Sequence, residues 1–416
     1  MAGEVQLSCA THREQVPVLT QPQLAYVLME LMPTQVMANV KMPLNFCFVL
    51  DQSGSMDDSD KIGQLRQAVQ YAMDLVQPDD IVSIVAFSST PKTLVSGQPA
   101  RDKVRLKEAV ERLRAGGGTQ MAPAMRAGLS EVRKHLAPNR INRLIILTDG
   151  QTEHEPECLR EAEAAAREGV RVTALGLGTD WNEDFLSQVG ERGTGEAGFI
   201  GQAQEITRYF TEVVQAMQGA VVQNARLTLR LAAGITPRKV WRVAPLISDL
   251  GVHGVSDRDV QVALGELVTN QGQGVLVELL LPARTEGRYR IAQAELGYDV
   301  PALGLTGEHA RADIVIGFTN DPGLAAQVNP RVMNIIEKVS AFKLQTRALR
   351  DAQAGDTQSA TKLLRQAATM LLNQGEADLA RTMRLEAENL AQSGTLSQEG
   401  KKTIQFKGGK TVRLGG

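Results

Sequence analysis

The chain has 416 residues, 43% of them hydrophobic and 22% charged, and its 45 Lys and Arg against 47 Asp and Glu leave a net charge of −2. Such a length predicts two or three domains with ample cores, and the composition excludes a disordered or fibrous chain. The near-neutral balance leaves no global basic field for a nucleic-acid backbone or an anionic membrane, and three scattered cysteines, Cys9, Cys47 and Cys158, exclude a disulfide framework and a Cys-rich zinc site.

Residues 1–8 carry Glu4 and no basic residue ahead of an apolar run, which is not the pattern of a secretory signal. Apolar stretches stay well under the roughly 18 residues of a membrane span. The expectation is a cytoplasmic protein. Residues 5–10 and 24–32 read as strands. From residue 45 onward, short β-rich runs (46–50, 81–87, 143–148, 171–177 and 197–200) alternate with amphipathic segments. In the latter, Ile62, Leu65, Val69, Ala72 and Val76 recur at helical spacing, as do Met121, Met125, Leu129, Val132 and Leu136. This α/β alternation predicts a doubly wound parallel sheet over residues 43–217, closed by a helix over 203–217. Cys47 falls in the first of these strands and reads as a small core hydrophobe.

Strands over 225–231, 260–264, 275–281, 289–296 and 312–318 follow, separated by Gly, Pro and Asp turns in an antiparallel pattern. Two N-terminal strands cannot form a stable sheet alone. Residues 1–42 are therefore predicted to pair with 218–318 in one discontinuous antiparallel β-sandwich, into which the α/β unit is inserted. Helical periodicity over 322–393, punctuated at Gly355 and Gly375, predicts an α-helical C-terminal region. Residues 394–416, with Lys401, Lys402, Lys407, Lys410 and Arg413, read as a flexible tail.

The strand at 46–50 runs into Asp51-Gln52-Ser53-Gly54-Ser55-Met56, at the carboxyl end of a parallel strand, where open α/β sheets bind ligands. One carboxylate and two hydroxyls in a tight turn are hard oxygen donors of the kind Mg²⁺ accepts. Taken alone, the same residues equally suit a Ser-rich turn whose Asp caps the following helix. Two further motifs share that sheet edge: Gly116-Gly117-Gly118-Thr119 places a hydroxyl at the start of a helix, and Thr148-Asp149-Gly150 places a carboxylate at the end of a strand. With all three, residues 43–217 resemble the von Willebrand factor type A domain and its metal-ion-dependent adhesion site, whose pattern is Asp-x-Ser-x-Ser, a distant Thr and a distant Asp.

The five matching positions are Asp51, Ser53, Ser55, Thr119 and Asp149. The resemblance implies a Rossmann-like fold and a bound Mg²⁺, with Mn²⁺ and Ca²⁺ as alternatives. Ser53, Ser55 and, depending on state, Thr119 would ligate it, while Asp51 and Asp149 would act largely through water and hydroxyl hydrogen bonds. It also implies an open metal position filled by an Asp or Glu of a partner protein, hence a non-catalytic, metal-dependent interaction module in bacterial signalling or complex assembly. The order of sandwich, inserted A domain and helices is similar to intracellular bacterial proteins of the family and to the heavy chains of inter-alpha-trypsin inhibitor.

Other readings compete. Asp57, Asp58 and Asp60 suit either a second cation or the N-terminus of a helix. Gln151, Thr152 and Glu153 suit either a frame around the metal or a solvated loop, and His154 lacks a second His or Cys at ligand spacing. An Asp ending a first strand also serves as phosphoryl acceptor in haloacid-dehalogenase-type phosphatases, but these need an acid two residues on, where this chain has Ser53. A third reading is a metal-independent scaffold using the sandwich, the helices or the tail. In the tail, Thr411 within Lys410-Thr411-Val412-Arg413-Leu414, with Thr403 upstream, suits a Ser/Thr kinase and then a phosphothreonine-binding module. The ending Leu414-Gly415-Gly416 resembles that of ubiquitin-like modifiers without their fold. No nucleic-acid or membrane partner is expected.

Overall fold

Apolar runs without alternation mark strands covered on both faces, and the run Leu44–Asp51 is buried at all 8 positions. The computed structural model describes residues 3–252, 254–256 and 259–410. In chain order, β1 (Val5–Thr11), β2 (Gln15–Pro17) and β3 (Gln23–Pro33) precede β4 (Leu44–Asp51), α1 (Lys61–Leu75), β5 (Ile81–Phe87), β6 (Pro91–Pro99) and α2 (Lys103–Val110). Next come α3 (Met121–Arg133), β7 (Ile141–Thr148), α4 (Glu155–Arg167), β8 (Arg171–Leu177), α5 (Glu183–Arg192), β9 (Glu196–Ile200) and α6 (Ile206–Gly219). Then follow β10 (Ala220–Leu231), β11 (Thr236–Ala244), β12 (Ser248–Asp249), β13 (Gly254–Ser256), β14 (Asp259–Val268), β15 (Gln273–Leu281), β16 (Gly287–Val300) and β17 (Leu305–Thr319). The last elements are α7 (Pro322–Ala326), α8 (Pro330–Gln353), α9 (Thr357–Asn373), α10 (Ala377–Ser393) and α11 (Gln398–Lys407). The chain divides into two units at Val40/Lys41 and Ala220/Val221.

In the unit from Lys41 to Ala220 the sheet order is β6-β5-β4-β7-β8-β9. The first strand of the unit thus lies inside the sheet, β5 on one side and β7 on the other. The strands β5, β4, β7, β8 and β9 are parallel. The edge strand β6 runs antiparallel to β5, which corrects the all-parallel expectation. Its prolines at both ends are how an edge strand avoids open pairing, and with Val95 as its one buried residue they hide it from a hydrophobic-pattern reading. Phe46 and Phe48 project to one side of β4, and the Phe48 ring stacks on Phe210 of α6 with centroids 4.9 Å apart. The closing helix starts at Ile206, after a 3-10 turn over Ala203–Glu205.

The other unit is built on two sheets, β1-β3-β15-β11-β12 and β13-β14-β10-β16-β17-β2. The N-terminal segment serves both: β1 and β3 sit in the first sheet, and β2 lies parallel to β17 in the second. Alternating residues such as Val27, Met29 and Leu31 of β3 and Leu227 and Leu229 of β10 fill the core between the sheets. His12 follows β1 and is 8% exposed. Its Nδ1 accepts the backbone N–H of Tyr26 at 3.2 Å, and burial, helped by the Arg13 charge, pushes its pKa down to about 4. Because the folded state prefers the neutral ring, the unfolded chain takes up the proton first. Stability is therefore expected to fall as pH drops from about 6.5 toward 4. Urea midpoints at pH 7.5 and 4.5 check this: wild type should lose more between the two than His12→Gln, and equal losses would refute it.

The helix α8 carries two apolar faces. Val332, Ile335 and Val339 pack on Leu28, Trp241 and Leu276 of the first sheet, while Ala341 and Ala348 pack on α9 and α10. The helices consequently belong to the same unit as the sheets.

The flexible-tail expectation for 394–416 is corrected over its described part. There α11 is capped by Ser397, whose N–H and hydroxyl both donate to Glu386 of α10 at 2.7 Å. Ile404 and Lys402 are fully buried. Beyond α11, the Ile247 N–H donates to the Gly409 carbonyl at 2.8 Å, and a Cβ on Gly408 would lie 2.0 Å from the Gln345 amide nitrogen. A sequence this polar is held by tertiary contact, which composition does not reveal. Thr403 lies inside α11, whereas Thr411 and the final glycines lie outside the described residues. Among the described residues no helix is long and apolar enough to cross a membrane.

Candidate metal centre

Strand order makes the site. The connection after β4 leads to β5 on one side, while β7 is on the other, so the carboxyl ends of β4 and β7 flank the switch point at which open α/β sheets form a crevice. Asp51 ends β4 and Asp149 follows β7 directly.

Asp51 is fully buried. One carboxylate oxygen, Oδ1, accepts the Ser53 backbone N–H at 2.7 Å, and Oδ2 accepts the Thr148 hydroxyl at 2.6 Å. Burial dominates its titration and raises it to about 6; the hydrogen bonds from Thr148 and Ser53 oppose that shift, and the neighbouring Asp149 adds to it. Asp149, 1% exposed, accepts the Ser55 hydroxyl at 2.7 Å on Oδ1 and the Lys61 ammonium at 2.6 Å on Oδ2. The Ser53 and Ser55 hydroxyl oxygens are 3.1 Å apart. Thr119 joins them across Gly150: a Cβ built there would sit 3.9 Å from both the Ser55 Oγ and the Thr119 Oγ1. All five residues singled out in the sequence are thus brought to one crevice.

The Thr119 loop is pinned from both sides. Gly54 N–H donates to the Gly117 carbonyl at 3.1 Å and Gly116 N–H to the Gln52 carbonyl at 2.8 Å. Gly117 has φ of 87°, and a Cβ there would press on the Ser88 and Ser89 hydroxyls at 3.1 and 3.0 Å, so two constraints favour glycine. On the opposite side the Thr152 hydroxyl donates to the Thr119 carbonyl at 2.8 Å and accepts the Met121 N–H at 3.2 Å. Gln120 donates to Glu153 at 2.6 Å. The 152–153 segment therefore braces the loop.

The neighbouring acids lie at the start of a helix, the second of their two readings. Asp57, Asp58 and Asp60 are exposed in a 3-10 turn over Gly54–Asp60, and Asp60, in the left-handed region at φ 55°, precedes α1 without a side-chain cap. His154 precedes α4 in the same backbone region. Among the described residues no three His, Cys, Asp or Glu side chains come together as a metal cluster. What converges is two carboxylates with three hydroxyls, an oxygen-only donor set that fits a hard divalent cation and not a thiophilic one.

Two residues of this network escaped the sequence reading. Thr148 is part of the Thr-Asp-Gly motif, whose pattern singles out only the Asp. Lys61 starts α1, where the helix macrodipole disfavours a cation; that misplacement was the available signal.

Residues 45–213 match the model of the von Willebrand factor type A domain, and residues 330–413 match that of the Sll0103-like, C-terminal alpha-helical domain. The chain is 30% identical to the uncharacterized protein sll0103 of Synechocystis over 79% of its own length and 78% of that protein. It is 33% identical to the inter-alpha-trypsin inhibitor heavy chain H3 of Mus musculus over 35% of its length and 17% of that chain. Among solved structures, a von Willebrand factor type A protein from Catenulispora acidiphila superposes with a TM-score of 0.80 at 20% identity, covering 98% of this chain and 97% of the other.

Proposed function

Since the chain belongs to the family of von Willebrand factor type A domain proteins with an Sll0103-like C-terminal helical domain, we propose that its α/β unit is a non-catalytic, metal-dependent grip for a partner protein. Ser53, Ser55 and Thr119 would hold one divalent cation, Mg²⁺ ahead of Mn²⁺ or Ca²⁺, with Asp51 and Asp149 behind them. When bound, the cation supplies an electrophilic position that an Asp or Glu of the partner fills.

The observation that carries this reading is the direction of the hydrogen bonds. Ser55 donates its proton to Asp149 and so turns its lone pairs away from that carboxylate. Thr148 gives its proton to Asp51 and the Ser53 amide gives a second, and because Ser55 spends its proton on Asp149, the Ser53 hydroxyl donates to Ser55 and keeps its own oxygen lone pairs for a cation. An acid-base reading finds less support: the position two residues beyond Asp51 is a serine, and its amide is already engaged. Cys9, Cys47 and Cys158 are unpaired, their thiols pushed up to about 12 by burial, as suits inert cysteines in the reducing cytoplasm. Bacterial signalling or complex assembly is the setting such a grip serves.

The test is capture of partners from native lysate by the full chain in Mg²⁺, in EDTA, and in Mg²⁺ with free glutamate as competitor. A partner retained in Mg²⁺ and released by both treatments supports the grip. Equal retention in all three overturns it and moves binding to the sandwich or the helices.

A further inference from the structure

We propose that Lys61 is a resident countercharge of the metal centre, holding Asp149 so that a bound divalent cation stays under-neutralised and open to a partner's carboxylate. The inference rests on the metal reading above and deepens it.

The geometry is specific. The Lys61 ammonium lies 2.6 Å from Asp149 Oδ2 and 3.3 Å from the Ser55 carbonyl, while the Ser55 hydroxyl takes the other oxygen of Asp149. The two side chains are 15% and 0% exposed, so water screens this pair far less than a surface ion pair. Lys61 occupies the first position of α1, where the helix dipole works against it, and the gain at Asp149 has to exceed that cost.

The consequence follows from charge. Asp51 and Asp149 alone would offer two negative charges to a doubly charged cation and cancel it. With the Lys61 ammonium held on Asp149, the three side chains sum to −1, and half of the cation's charge is left for an incoming anion. The same ammonium weakens the grip on the metal, because the cation shares Asp149 with it. Lys61 thus exchanges metal affinity for affinity toward the carboxylate, as a positioning residue acting through Asp149.

Calorimetric titration of Mn²⁺ alone into the full chain tests this, with wild type, Lys61→Met and Lys61→Arg compared and thermal unfolding followed in EDTA. Lys61→Met should bind Mn²⁺ about tenfold tighter, unfold at lower temperature in EDTA because Asp149 is left buried without its cation, and gain more from saturating Mn²⁺. Lys61→Arg should stay near wild type. If wild type binds Mn²⁺ and folded Lys61→Met binds it equally or more weakly, the countercharge role is overturned while the metal reading stands. If neither chain takes up Mn²⁺, both are overturned.

Discussion

Asp51→Asn is expected to stabilise the metal-free protein while cutting its affinity for divalent cations by about 10–100-fold. The two effects share one cause. Asp51 is fully buried at the end of β4, and burial raises its carboxyl to about 6 against 3.8 for a free one. With the folded value above the unfolded one, the protonated form is the one that folding favours. Its stabilising contribution is present at low pH and is lost as pH rises through about 4 to 6. At pH 7.5 the ionised group leaves the fold weaker by about 3 kcal/mol, a cost that a neutral amide removes. The amide oxygen still accepts the Ser53 N–H, and the Thr148 hydroxyl can rotate to accept from the new NH₂ group. Without the negative charge, however, a bound cation loses its main support behind Ser53. Urea unfolding in EDTA at pH 7.5 and 4.5, together with Mn²⁺ calorimetry, checks both halves. The stabilisation should shrink at the lower pH. An Asn variant that is less stable in EDTA, or that binds Mn²⁺ as well as wild type, contradicts the account.

Phe48→Ala is expected to cost the α/β unit about 3–5 kcal/mol. Phe48 is fully buried, edge-on to Phe46 at 5.3 Å and stacked on Phe210 of α6 at 4.9 Å, so its loss opens a cavity between the sheet and the closing helix. Relaxation is restricted because β4 is held by ladders on both sides. The chain contains 2 tryptophans, and Trp181 lies in the α/β unit while Trp241 lies in the other. In a Trp241→Phe background, fluorescence during urea unfolding therefore reports the α/β unit alone, which avoids forcing a two-state treatment on a two-unit chain. A loss of less than about 1 kcal/mol would mean that the aromatic stack does not hold α6 in place.

Much of the parallel sheet was legible because β4, β5, β7 and β8 are mostly apolar, β-rich runs, and few other structures explain such runs alternating with helical stripes. The elements that escaped are those whose cause is tertiary. β6 alternates weakly and is bounded by prolines, and α11 has only two large apolar residues, Ile404 and Phe406, too few for a helical stripe. β2 has three residues, too few for any periodic signal, yet it finds a place beside β17. At the metal centre the oxygen donors could be named because they cluster in three short motifs. Lys61 and Thr148 could not, since what they do depends on which carboxylate oxygen each one reaches across the sheet.

The pairing of β3 with β15 also sets a timetable. Val27 lies opposite Val277, so the first sheet cannot close until the ribosome has made residues on the far side of the entire α/β unit. At about 5–20 residues per second this is a wait of roughly 10–50 s. Throughout it, β3 has β1 on one edge but an open edge where β15 will pair, and its apolar residues Val27, Met29 and Leu31 lack the opposing strands made after the α/β unit. The α/β unit, by contrast, emerges whole and has its own strands adjacent in sequence. The early-made N-terminal strands are consequently the part of the nascent chain that needs shelter, and an unfinished product halted before residue 273 would expose them permanently, making it a natural client for holdase chaperones and proteolysis.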